Sequence, residues 1–223
     1  MDKLRTKYQK GEDVRYISHL DVLRAFQRAL RRAEVPFVLT EGFNPKPKMN
    51  FSPPLSLGYV SRAEYFDVDV TDMMPEEFAE KMNSVLPSGL KVLDVTRIDC
   101  SSKSLNSIIQ SSVYKIIYPF GSDIFHKADE FLDGDIVIEK RTKKGLKTMD
   151  IKPFIYDLAI KDKNTFEVWL PSGSAQSINP MYVLRAYLDF AGREFRIEAA
   201  SIMREEQYID KVKHTPMEAG AFV

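Results

Sequence analysis

Apolar residues recur at three- and four-residue intervals from Leu20 through Leu23, Phe26 and Leu30 to Ala33, which predicts an amphipathic helix with that stripe on a core. Ser18 followed by Asp21 is a capping-box pattern that starts the helix, and Pro36 stops it. Ahead of it, alternation over residues 4–8 predicts a strand that continues past the Lys10-Gly11-Glu12 turn towards Tyr16. Behind it, residues 37–40 and 48–60 read as an extended region broken by prolines. Residues 63–70 alternate cleanly, with Phe66, Val68 and Val70 on one strand face and Tyr65, Asp67 and Asp69 on the other. Pro75 opens a second helix with Phe78, Met82, Val85 and Leu86 as its stripe, and Pro87 and Gly89 end it. Residues 90–98 form a closing strand, so the order is β-α-β-β-α-β.

The serine-rich stretch 100–112 predicts a linker. After it come a strand over 113–118 and a helix over 123–132 with Ile124, Ala128 and Phe131 inward and Gly134 as its stop. Strands are predicted over 136–141, 146–151, 154–160 and 165–170. Asn179 caps a helix with Pro180 at its first position; it runs over 182–191, and a strand over 195–204 closes the half. Allowing for one extra hairpin, the same order appears twice. The expected fold is α+β, with tandem ferredoxin-like domains over 1–104 and 105–223, the second carrying an extra β-hairpin.

Of the 223 residues, 44% are hydrophobic and 29% charged, the balance of a folded chain and not a disordered one. No apolar run is long enough for a membrane helix and no apolar signal core follows the basic N-terminus, so a cytoplasmic protein without membrane contact is expected. Cys100 is alone, which excludes a disulfide framework and a cysteine zinc or iron–sulfur site within the chain. His19, His126 and His214 are scattered, so neither a metal site nor a cofactor is expected. The 32 basic and 32 acidic residues cancel overall, but residues 1–60 hold eleven Lys/Arg against six Asp/Glu and residues 61–99 four against nine. The surface charge is therefore polarised.

Arg24, Arg28, Arg31 and Arg32 fall at i, i+4, i+7 and i+8 of the first helix, with only Asp21 and Glu34 at the ends to neutralise them. A solvated helix face is the plain reading of that flank, but like charges at helical spacing repel unless a partner offsets the cost. The loop beyond it offers Gly42, an aromatic in Phe43, an amide in Asn44, and Lys46 and Lys48 held apart by Pro45 and Pro47. Phosphate backbones call for cations, while bases call for flat faces and amides, so flank and loop together suggest an RNA-binding surface. A second basic run over 140–147 reads as a hairpin tip whose lysines keep an edge soluble. His19 is a weak candidate for the acid or base of metal-independent RNA cleavage, set against a structural role. Glu64, Asp67 and Asp69 are candidates for Mg²⁺, set against a solvated strand face.

The run from Arg15 to Val68 holds SHLD, GFNP and AEYFD in order, and in this it resembles the signature of the radical SAM-linked protein family, a domain of unknown function. The segment NP followed by VLRAYL, at 179–188, is similar to that family's C-terminal half. The resemblance implies a domain found alone or fused after a cobalamin-binding radical SAM protein, which becomes the implied partner. This chain lacks the three-cysteine cluster loop of radical SAM chemistry, so it is not itself the radical enzyme. A more distant similarity, of fold alone, is to the repeat-associated RNA endonucleases of CRISPR systems. The expected function is that of a non-catalytic accessory module of a radical SAM system, binding RNA or an RNA-containing particle through the first helix and the GFNP loop. Its rivals are a metal-independent endoribonuclease using His19 and a protein-binding scaffold for the radical SAM enzyme.

Overall fold

The computed structural model describes residues 1–119, 127–142 and 145–220. Strand β1 (Asp2–Lys10) leads to helix α1 (His19–Arg32), followed by β2 (Met49–Phe51), β3 (Val60–Val70), α2 (Pro75–Val85) and β4 (Leu90–Ile98). After the short α3 (Leu105–Ile108) come β5 (Ser111–Ile117), α4 (Ala128–Asp133) and the hairpin of β6 (Val137–Thr142) and β7 (Gly145–Asp150). The chain closes through β8 (Asp157–Asp162), β9 (Thr165–Pro171), α5 (Pro180–Phe190) and β10 (Ser201–Tyr208). Strands of the first half are ordered β4-β1-β3-β2 and those of the second β10-β5-β9-β8, with every neighbour antiparallel. A short parallel contact, Val60 with Met203 and Ser61 with Arg204, fuses the two into one sheet, while β6 and β7 pair apart from it. The result is a mixed α+β architecture around a mostly antiparallel sheet.

Helix α1 starts where expected, with the Asp21 N–H donating to Ser18 Oγ at 3.2 Å. The Ser18 hydroxyl in turn donates to the Asp21 carboxylate at 2.7 Å, so that carboxylate holds the cap's side chain instead of its N–H. Its buried stripe is Val22, Phe26, Ala29, Leu30 and Ala33, and Leu20 is exposed, contrary to the stripe read from spacing. At 100° per residue Leu20 stands roughly 160° from Val22, and the small Ala29 and Ala33 let the helix seat closely on the Val22 side. There Phe26 meets Tyr8, Phe51 and Phe66 with ring centroids 4.7, 6.1 and 4.8 Å away. Helix α2 adds Phe78 and Met82 to this core, and a second core gathers Ile116, Phe166, Val168, Val183, Leu184 and Tyr187 under α5.

Strand β3 departs from expectation on its second face. Tyr65, Asp67 and Asp69 are buried rather than solvated, because Leu105 and Ile109, with Ile209 and Met217 from the C-terminal segment, pack over Ala63 and Tyr65. The expected linker over 100–112 is correspondingly shorter. Leu105, Ile109, Ser111 and Ser112 are buried, the Leu105 N–H donates to Asn50 Oδ1 at 3.0 Å, and β5 starts at Ser111. The last strand lies later than 195–204, after a turn over 197–199. Of the extended region 48–60, Met49–Phe51 pairs as β2 and Val60 begins β3, while 52–59 crosses towards the second half, where Tyr59 Oη donates to Asn179 Oδ1 at 2.6 Å. Of the helix expected over 123–132, residues 123–126 lie outside the described residues, and so do Lys143 and Lys144 of the hairpin tip.

Candidate functional site

The end of α1 carries the basic flank directly to the GFNP loop. Val38 N–H donates to Asp69 O at 2.9 Å and Lys48 N–H to Val38 O at 2.8 Å, which ties the loop's base to the end of β3. Higher up, Thr40 N–H donates to Lys46 O at 2.8 Å and Lys46 N–H to the Thr40 hydroxyl at 3.1 Å, closing the loop. The tip over 41–46 is exposed throughout, and Phe43 is 106% exposed, a whole aromatic ring held in solvent. Gly42 permits this shape with φ of +110°, a region that side chains with a Cβ resist. Arg31 joins flank to loop, because its guanidinium lies 5.7 Å from the Phe37 ring centroid.

The cations picked out in the sequence are unequally engaged. Arg28 and Lys46 are exposed, and among the described residues neither side chain has a hydrogen bond or ion pair. Arg31 donates to Gln27 O at 3.3 Å and remains exposed. Arg24 pairs with Asp21 at 3.2 Å, and Arg32 turns away to donate to Val85 O at 2.5 Å, the last residue of α2. Lys48 lies apart from Lys46 in its chemistry, because its ammonium meets the buried Asp69 carboxylate at 2.7 Å. Asn44 is exposed at the tip beside Phe43. The structure thus leaves Arg28, Arg31, Phe43, Asn44 and Lys46 as exposed groups, with Arg31 meeting the start of the loop at Phe37.

His19 is elsewhere. It opens α1 but its ring faces inward, edge-on to Phe51 at 5.6 Å, and lines a crevice with Tyr8, Lys10, Val22, Leu55 and Glu64. The Lys46 loop takes no part in that crevice. Strand register explains the grouping: Tyr8 opposes Glu64, Lys10 opposes Ser61, and Ser61 in turn opposes Arg204 of β10, so these side chains share the helix-bearing face where the two halves join. Arg204 Nη1 donates to both Glu64 oxygens, at 2.9 and 3.2 Å, and to Pro53 O at 3.2 Å, while Nη2 donates to Tyr114 Oη at 3.3 Å. Burial lowers the His19 pKa below its ordinary 6.5, partly opposed by the Glu64 carboxylate. Burial likewise lowers the Lys10 ammonium below 10.5, and burial with the nearby Glu64 charge pushes the Tyr8 phenol well above 10. The sequence reading missed Tyr8, Lys10 and Arg204. Lys10 sits next to a predicted turn and Arg204 lies 140 residues from Glu64, so only the sheet brings them together.

The three acids considered for Mg²⁺ do not converge. Glu64 faces the helices, whereas Asp67 and Asp69 face the opposite side, where Arg5 holds Asp67 through Nε at 2.8 Å and Nη2 at 2.9 Å. Among the described residues no group of three or more His, Cys, Asp or Glu is placed to hold a metal. Nor is any described helix long and apolar enough to cross a membrane.

A model of the family described as "uncharacterized protein conserved in bacteria (DUF2344)" matches residues 3–180. No curated protein matches the chain.

Proposed function

Because the chain belongs to that bacterial family of uncharacterized proteins, whose description names no activity, we propose a function from its surfaces alone: a non-catalytic accessory module that binds RNA, or an RNA-containing particle, through α1 and the GFNP loop. The observation that carries this reading is Phe43, fully exposed at the tip of a loop that backbone hydrogen bonds close and whose start, at Phe37, lies against Arg31. An exposed phenyl ring gains nothing from water, and a base stacked on it gains about 1–3 kcal/mol. Arg28, Arg31 and Lys46 supply the phosphate contacts, and Asn44 an amide for a base edge. Under the same reading the two halves, 1–104 and 105–223, are tandem ferredoxin-like units, an interpretation supported by the matching strand order fourth-first-third-second in each. The cobalamin-binding radical SAM protein remains the proposed partner, on the strength of the SHLD, GFNP and AEYFD segments.

Binding of single-stranded RNA measured across a salt series tests this. Log affinity falls linearly with log salt, and the Arg28→Ala, Arg31→Ala double variant flattens the slope by roughly 0.7 for each phosphate no longer neutralised. Phe43→Ala weakens binding about tenfold without moving the melting temperature. A slope near zero in the unmodified protein rejects the reading.

A further inference from the structure

Hydrogen-bond donors without partners gather in the crevice where the halves meet. Tyr8 is buried, and its hydroxyl has no hydrogen-bond partner among the described residues. Lys10 is 3% exposed and spends one N–H on Arg15 O at 3.1 Å, which leaves two. The His19 ring has neither a hydrogen bond nor an ion pair among the described residues. The charged acceptor among the lining groups is Glu64, both of whose oxygens already receive Arg204, and the other acceptors are the Tyr8 oxygen and one nitrogen of a neutral His19. Behind Glu64, Arg204 Nε is a fully buried donor with no partner, whereas the half-buried His19 ring keeps access to water. Buried donors left unmade are costly, and native folds keep few of them, usually where water, an ion or a ligand completes the set.

We propose that this crevice is a binding site for one phosphate group, which approaches past Leu55 and accepts hydrogen bonds from Tyr8, Lys10 and His19. A phosphate brings oxygen lone pairs and, as a dianion, no donor of its own, which suits the unpaired N–H groups of Lys10 and the Tyr8 O–H. The local charge favours an anion as well, by one charge: Lys10, Arg204 and the neighbouring Arg15 stand against Glu64 and against Glu12, which pairs with Arg15 at 2.9 Å. The crevice is closed down to about 10 Å³, room for a single water, so seating a phosphate requires Leu55 to swing out. Leu55 belongs to the segment 52–59, which has no helix or strand and is held near its end by Gly58, whose N–H donates to Arg15 O at 3.0 Å and whose carbonyl accepts from Arg15 at 2.9 and 3.1 Å. This site does not depend on the RNA-binding surface, because it uses different side chains on the other side of α1.

The test adds inorganic phosphate to the full chain and follows the His19 imidazole signals by NMR, with affinity from calorimetry. Phosphate moves the His19 signals of the unmodified protein, and Lys10→Met weakens the affinity on the order of tenfold or more, Tyr8→Phe somewhat less. Arg28→Ala with Arg31→Ala leaves phosphate affinity unchanged. Lys10→Met removes a buried charge in favour of an apolar chain of similar length, so a folded variant is expected and its melting temperature checks this. RNA affinity in the same variant separates the sources: unchanged RNA binding assigns the site to a small phosphorylated ligand, and a loss matching that for phosphate assigns it to an RNA phosphate. His19 signals that phosphate does not move, or an equal response in Lys10→Met, overturn the proposal.

Discussion

Replacing Arg204 by Met probes the join between the halves most directly. Both side chains of the Arg204–Glu64 pair are 4% exposed, and Arg204 also donates to Pro53 O and Tyr114 Oη. Met keeps most of the aliphatic stem but leaves the Glu64 carboxylate buried without a cation, and breaking a buried pair in this way costs about 3–5 kcal/mol. That is a large part of the ~5–15 kcal/mol that holds a domain together. Converting both partners to apolar residues, Arg204→Met with Glu64→Leu, should recover most of the loss, since no unpaired charge then remains. Urea unfolding followed by far-ultraviolet circular dichroism and by tryptophan fluorescence measures this, and the two probes add a second check. Trp169 is the chain's one tryptophan and lies in β9, far along the sheet from Glu64, so its fluorescence reports the second half. If the seam couples the halves, both signals shift together to lower urea. A loss under about 1 kcal/mol, or a double variant no more stable than the single one, refutes the account of Arg204 as the charge that neutralises Glu64.

Other outcomes follow from the same geometry. His19→Gln should flatten the fall of stability on acidification: the folded pKa lies below the ordinary 6.5, so the unfolded chain binds more protons and stability is lost as pH falls from 6.5 towards the depressed value, which a series of urea midpoints across that range checks. Lys46→Ala should leave the melting temperature unmoved, whereas Lys48→Ala should lower it by stranding the buried Asp69, and a calorimetric comparison of the two separates the loop's contact residue from its structural one. Gly42→Val should destabilise by about 1–3 kcal/mol through backbone strain at φ +110°, because nothing lies within 4 Å of the added Cβ and steric overlap contributes little. Limited proteolysis should cut first within 41–46 or 99–104, and a first cut in 105–112 would contradict the packing of Leu105 and Ile109.

Local pattern determined most of the elements. The Ser18 cap, the Phe26 and Leu30 face of α1, Pro75 and Asn179 at helix starts and the alternation of Phe66, Val68 and Val70 were all legible, because each depends on neighbours within one helical turn or one strand. The turn of the loop was legible too, since Gly42 and the prolines shape it locally, whereas the full exposure of Phe43 was not, because an aromatic in such a loop more often packs on the core. Tertiary structure decided what covers what. The second face of β3 reads as solvated because Tyr65, Asp67 and Asp69 carry polar atoms, yet Arg5 neutralises Asp67 and the C-terminal segment shields the face, with Pro216 O accepting from Arg5 at 3.0 Å. Lys46 and Lys48 look alike in a Pro-Lys-Pro-Lys run, and only the position of Asp69 distinguishes them. The crevice of Tyr8, Lys10, His19 and Glu64 has no signature along the chain, since its members reach one another through strand register and a parallel contact between residues some 140 positions apart. Periodicity encodes which way a side chain points relative to its own element, and the identity of the group it meets there is a property of the assembled sheet.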